Sequence, residues 1–156
     1  GCKPLDSIVK SLETEGIKLN KIYPGGSVGI GTGIDPFYCK GDDNGGKLVG
    51  NKIGNIGSMS PIYFPSIEIK FNLIDGNNNW KPRSNENLNL QIGTHGLKSK
   101  LIKIVSSKKK YIIAKFELYE PVCLDNEEKI IISKNFIDGL KILGLGYLKK
   151  GDIYLK

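Results

Sequence analysis

Apolar and polar residues alternate with period two in two clear stretches of the chain. Residues 67–73 read IEIKFNL, with Ile67, Ile69, Phe71 and Leu73 on one side and Glu68, Lys70 and Asn72 on the other. That is the pattern of a strand with one face buried. Residues 17–23 (IKLNKIY) alternate in the same way. The spacing predicts further short strands over 27–32, 47–53, 88–92, 100–105, 111–118, 129–132 and 140–148, with a short apolar segment at 8–12. Pro24-Gly25-Gly26, Asp35-Pro36 and the loop 41–46 (GDDNGG) punctuate the first part of the chain. No stretch carries the apolar spacing of a helix of three or more turns. Many short strands with polar turns predict an all-β fold, an antiparallel barrel or sandwich.

Two interruptions organise the chain. Residues 54–65 (GNIGSMSPIYFP) are rich in Gly, Ser and Pro, and place a domain boundary near residue 60. The expected units are 1–60 and 61–156. Residues 75–87 (DGNNNWKPRSNEN) form a polar, Asn-rich insert that reads as a loop. Its Trp80 is open to two readings, an anchor for the loop or a contact for a partner.

Charge changes the picture in the second part. The whole chain carries +7, of which residues 1–65 contribute +1 and residues 66–156 contribute +6. A basic second part suits RNA or another acidic partner, or a lysine-rich surface facing only water. The three cysteines, Cys2, Cys39 and Cys123, are odd in number and lack a C-x-x-C pair. That fits neither a disulfide framework nor a zinc ribbon, and matches a reducing, cytoplasmic setting. No apolar run reaches the roughly 20 residues of a membrane span, and no partner membrane is expected. The chain opens GCKPLDSIVK without a starting Met, so a preceding part is expected.

The candidate chemistry is sparse. Residues 23–36 (YPGGSVGIGTGIDP) hold Gly29, Gly31 and Gly33 as G-x-G-x-G, not the dinucleotide spacing G-x-G-x-x-G, and Asp35-Pro36 stands where a helix would have to begin. Residues 41–47 satisfy G-x-x-x-x-G-K, but Leu48 follows where Mg²⁺ needs a hydroxyl, and Asp42 and Asp43 would repel a triphosphate. A polar hairpin loop is the better reading. His95 is the only histidine and reads as a turn residue. Lys108-Lys109-Lys110 reads as a solvated turn between strands. No catalytic residue and no metal site is assigned.

An ordered set of segments carries more information than any of these. CKPLDSIVKSLETE, YPGGSVGIGTGIDPFYCKGD, LVGNKIG, EPVCLDNEEKIIISK and LKILGLGYLKKG follow one another along nearly the whole chain. Together they resemble the later part of the gamma subunit of translation initiation factor 2, eukaryotic type. That family is related to elongation factor Tu, with a GTPase domain followed by two β-barrels.

The resemblance implies that residues 1–60 are the latter part of the second barrel, incomplete here, and 61–156 the third barrel. GTP and Mg²⁺ would be bound by a GTPase domain outside this chain, so the chain itself would need no cofactor and catalyse nothing. The family's gamma subunit carries methionyl initiator tRNA to the small ribosomal subunit. Its partners are the alpha and beta subunits, the ribosome and an assembly chaperone. Carried onto this sequence, Val28, Gly29, Ile30 and Gly31 match the strand near the tRNA acceptor end, and Asp35 matches the turn that docks the alpha subunit. The sequence departs from the family at Gly33, where a basic residue is usual, and at Lys134, where Arg is usual. It also lacks Arg and Trp before LGLG, and the 75–87 insert replaces the family's own. Two other readings are an unrelated basic RNA-binding barrel and a nucleotide-dependent enzyme.

Overall fold

The computed structural model describes residues 4–23, 26–39, 41–42, 45–46, 48–74 and 80–155. The chain divides into two compact units, Gly1–Leu48 and Val49–Lys156. Among the described residues there is one 3-10 turn and no α-helix; the rest of the regular structure is strand.

The first unit holds β1 (Ser11–Thr14), β2 (Ile17–Lys18) and β3 (Gly29–Gly31), in the order β2-β1-β3. Both pairings are antiparallel, with Leu12 opposite Ile30 and Thr14 opposite Ile17. The Glu15-Gly16 turn between β1 and β2 uses left-handed backbone at both residues, φ 48° and 80°. Only the first two residues of the expected strand 17–23 join the sheet. No described residue of this unit is buried, so the sheet has apolar side chains but no core of its own. Two further short strands, β4 (Gly41–Asp42) and β5 (Gly45–Gly46), pair with each other. Cys2, Pro24, Gly25, Asp43 and Lys47, named in the sequence reading, lie outside the described residues, as does the 75–79 part of the Asn-rich insert.

The second unit is a closed barrel. Its strands are β6 (Ile62–Leu73), β7 (Glu86–Ile92), β8 (His95–Ser107), β9 (Ile112–Leu118), β10 (Val122–Cys123), β11 (Lys129–Phe136) and β12 (Gly139–Leu155). The order β6-β12-β11-β7-β8-β9 closes on itself through β9 pairing with β6, and β10 adds to the other end of β6. Every pairing is antiparallel. Closure leaves no open ladder among these six strands, the state that protects a barrel from edge-to-edge association.

The period-two pattern determines what points inward. Ile67, Ile69 and Phe71 of β6, Leu88, Leu90 and Ile92 of β7, Leu97 and Leu101 of β8, and Ile130 and Ile132 of β11 are all buried in one cluster. Each such side chain contributes about 1.5–3 kcal/mol of transfer free energy. Phe71 and Phe116 meet edge to face across the interior, ring centres 6.3 Å apart. Ser99 is a buried polar residue among these strands; its hydroxyl donates to the carbonyl of Leu88 at 3.0 Å.

The strand expected over 47–53 does not form among its described residues. Residues 48–50 are a turn and 51–53 are irregular. Gly50 is left-handed at φ 81°, and Val49 and Ile53 are 72% and 74% exposed. Without a partner strand among the described residues, these apolar side chains have nothing to bury against. The 49–61 stretch is held to the barrel side instead, by a Lys52–Glu128 ion pair and a hydrogen bond from Ser60 Oγ to Asp125.

Candidate functional site

The glycine-rich segment lies on the first sheet. Val28 precedes β3, and Gly29, Ile30 and Gly31 form it. In the described sheet β3 pairs with β1 on one side only, so its other ladder is open. Thr14 Oγ1 donates to the carbonyl of Ser27 at 2.9 Å and fixes the approach to β3. The two glycines differ in what they leave free. A Cβ on Gly31 would run into the Ser11 hydroxyl, so that space is already filled from within the sheet. A Cβ on Gly29 would meet the Glu13 carbonyl only at an ordinary 3.6 Å, so Gly29 keeps that surface low. Beside it opens a cleft of about 490 Å³, bordered by Glu13, Glu15, Lys21, Tyr23, Val28 and Gly29 among others. Lys21 Nζ lies 4.8 Å from the centre of the Tyr23 ring.

Asp35 has a definite local task. It caps the 3-10 turn Pro36–Tyr38, its Oδ1 accepting from the Phe37 N–H at 2.9 Å. Pro36 fixes the first turn residue, and the Tyr38 N–H returns to the Asp35 carbonyl at 3.0 Å. The Asp35 carboxylate is on the surface, and the turn presents Phe37 at 57% exposure beside it. The 41–47 segment does not lead into a helix, as a phosphate-binding loop would; β4 and β5 pair and residues 48–50 turn.

On the barrel, cross-strand register gathers lysines that are scattered in sequence. Lys103 stands opposite Lys115, Lys115 opposite Glu68, and Glu68 opposite Lys150, with Lys150 Nζ 3.4 Å from the Glu68 carboxylate. One row further, Lys129 faces Tyr147 and Tyr147 faces Lys70. Lys70 and Lys108 lie over the Tyr111 ring at 4.4 and 5.6 Å. The 108–110 lysines are exposed between β8 and β9, as the sequence implied. The β9-β6-β12 face is therefore basic, with tyrosines set among the lysines, an arrangement able to attract phosphates and stack on bases.

His95 is not in a turn: it is the first residue of β8, paired with Ile92. Its Nε2 is buried without a hydrogen-bond partner among the described residues, 3.6 Å from Glu120 Oε1. Trp80 proves to be an anchor. It packs against the core cluster, and its indole N–H donates to Glu86 Oε1 at 3.1 Å. Lys134 donates to the same oxygen at 2.6 Å, and the Arg83 N–H reaches Glu86 Oε2 at 3.2 Å. Burial raises the Glu86 pKa, but the Lys134, Trp80 and Arg83 hydrogen bonds outweigh it and hold the carboxyl below its ordinary range. Glu86 and Lys134 are 48 positions apart in sequence, and only the neighbouring places of β7 and β11 bring them together.

The model of the family described as initiation factor eIF2 gamma, C terminal, matches residues 67–148, the greater part of the barrel. The chain is 33% identical over 155 residues to a eukaryotic translation initiation factor 2 subunit gamma from Encephalitozoon cuniculi, covering 96% of this chain and 33% of that protein. It is 32% identical over 162 residues to a eukaryotic translation initiation factor 2 subunit 3 from Drosophila melanogaster, covering 96% of this chain and 32% of that protein. The chain thus spans about a third of the length of the curated relatives it matches. A closed antiparallel barrel, a basic outer face and a match across almost the whole sequence agree: this chain belongs to the C-terminal family of the initiation factor eIF2 gamma subunit.

Proposed function

We propose that this chain is the tRNA-, subunit- and ribosome-binding part of a gamma subunit that delivers methionyl initiator tRNA to the small ribosomal subunit in the cytoplasm. GTP and Mg²⁺ are held by a GTPase domain elsewhere in the subunit, and this part performs no catalysis. The observation that supports the reading is the β3 edge at Gly29–Gly31, unpaired among the described residues and bordering a cleft at Gly29; the resemblance matches this strand to the one near the tRNA end. At an open edge, backbone N–H and C=O groups are free to bond a partner, and the low surface at Gly29 lets a ribose or an aminoacyl ester come close. The rest of the subunit would cover the apolar side chains that the first sheet leaves unburied. The barrel's lysine face is directed to ribosomal RNA, with an assembly chaperone and the beta subunit as further partners.

In the gamma subunit carrying this chain, Gly29→Leu is expected to weaken methionyl initiator tRNA binding in the presence of GTP about tenfold. Filter binding measures it; wild-type affinity in this variant would remove β3 from the tRNA site. Asp35 needs a finer test because it also caps a turn. Asn caps as well as Asp. Asp35→Asn keeps the turn and removes the charge, so alpha-subunit binding by calorimetry should fall about tenfold in both Asp35→Asn and Asp35→Ala. If only Asp35→Ala weakens binding, Asp35 positions the turn and does not itself contact alpha.

A further inference from the structure

A second recess lies on the far side of the barrel from β6, across β11, β7 and β8. It is a shallow cleft of about 370 Å³ whose floor is formed by Leu88 and Ser99. Its walls are Asn87, Asn89, Lys98, Tyr119, Lys134 and Asn135. Three carboxamides, a tyrosine, two lysines and no carboxylate line it. Asn89 and Lys98 sit side by side in the β7–β8 register, and Asn89 faces Ser133 on β11. Tyr119, 55% exposed, is held over the rim by a hydrogen bond from its hydroxyl to Asn87 Oδ1 at 3.2 Å. The Lys134 charge is already matched by Glu86, whereas Lys98 pairs with no carboxylate among the described residues.

Resting on the reading that this barrel meets RNA, we propose that the recess binds one unpaired RNA nucleotide. Its chemistry is specific in kind. Asn87 holds Tyr119, while the Asn89 and Asn135 carboxamides each offer a donor and an acceptor side by side, the complement of a base edge. The Tyr119 ring offers a stacking surface to any base, because every base has a π-face. The single free ammonium of Lys98 suits one phosphate. The volume lies near the low end for ligand clefts, about 300–1,000 Å³, and fits one small unit and not a folded domain. An acidic peptide would need more free cations than the recess supplies. A base paired in an RNA duplex keeps its Watson–Crick edge engaged and its faces stacked, and its major-groove edge lies too deep to reach, so the recess selects single strands. The lysine face on β9-β6-β12 is a separate surface whose charge attracts the phosphates of single strands and duplexes alike.

The test uses the full chain, a labelled ten-nucleotide unstructured RNA, a duplex of the same sequence and a polyglutamate peptide, at one fixed salt concentration. Tyr119→Ala and Lys98→Glu should each weaken the single strand about tenfold and leave the duplex within about twofold. Lys150→Glu on the other face should weaken both RNAs alike. Photocrosslinking with 4-thiouridine should map to the Tyr119 segment. If single-strand and duplex affinities fall together in the Tyr119 and Lys98 variants, or neither falls, the recess is not a nucleotide site although the barrel binds RNA. Competition by the peptide at Lys98 without RNA binding would assign the recess to an acidic protein. Absence of binding to either RNA by the wild-type chain would overturn the RNA-facing reading itself.

Discussion

Gly146→Ala is expected to destabilise the barrel by about 3 kcal/mol or more, at or beyond the upper end of ordinary overpacking. Gly144 and Gly146 face the interior on β12, while Leu145 and Tyr147 between and after them face out. A Cβ on Gly146 would lie 2.5 Å from both the Lys70 carbonyl and Phe71 Cβ, and 2.9 Å from Ile69 Cγ2. Two of these neighbours cannot swing away: the carbonyl belongs to the β6 backbone that pairs with β12, and a Cβ moves only with its own main chain. Relief would require β6 and β12 to separate where the barrel is most extensively paired. Phe71 is fully buried and uses the volume the glycines leave, with its ring edge-on to Phe116. Thermal unfolding should show a fall of roughly 10 °C or more for a domain of this size. Gly144→Ala should cost less, because its contacts are longer, 2.8 Å to the Asn72 carbonyl and 3.0 Å to the Phe71 ring. A Gly146→Ala barrel that melts within a degree of wild type would show that the strands have slack the structure does not display.

The same glycines mark how much could be read from the sequence. The six long strands were legible from clean alternation in stretches such as 67–73 and 88–92, and elsewhere only as apolar runs between turn signals; Ile112, Ile113 and Ala114 of β9 are buried in succession. The expected 67–73, 88–92 and 129–132 segments all lie within observed strands, although β6, β8 and β12 extend well past the expected ends. Length was not legible because it comes from pairing with neighbours. Residues 49–53 (VGNKI) carry no clear period, no strand pairs with them among the described residues, and Gly50 turns the chain away. β10 was missed because two residues carry no period. The Gly29 and Gly31 pair was legible as strand, but not that Ser11 already occupies the space at Gly31. That occupation depends on the β1–β3 register. The recess beside Tyr119 was out of reach for the same reason: its walls come from residues 87–89, 98, 119 and 134–135, each ordinary where it stands. Trp80 was undecidable until β7 set Glu86 beneath it.

Glu86→Gln is expected to cost about 1–3 kcal/mol at neutral pH, the loss of charge-assisted hydrogen bonds at a largely buried carboxylate. Glu86 Oε1 accepts from both Lys134 and Trp80, and Oε2 from the Arg83 backbone, so one side chain ties β7 to β11 and to the end of the insert. An amide can accept one or two of these bonds but leaves the Lys134 ammonium without its counter-charge. The acid limb gives a sharper signature. Because hydrogen bonding holds the folded-state pKa below that of the unfolded chain, Glu86 stabilises fully above the ordinary glutamate range, about pH 4.3. That contribution is lost as pH falls below it through the folded value. Asp125 and Asp138 are shifted the same way, by backbone and Ser60 hydrogen bonds at Asp125 and by Lys141 at Asp138, so wild-type acid sensitivity is shared. The difference between wild type and Glu86→Gln isolates Glu86: their stabilities should converge as pH drops from 5 toward 3. Trp80 is the only tryptophan, so its emission reports this site alone. Glu86→Ala should shift that emission to the red at neutral pH, while the far-ultraviolet spectrum keeps its strand signature. Unchanged emission together with a constant stability gap between pH 7 and pH 3 would mean that Trp80 is held by its packing against the core and that the Glu86 hydrogen bonds add nothing to it.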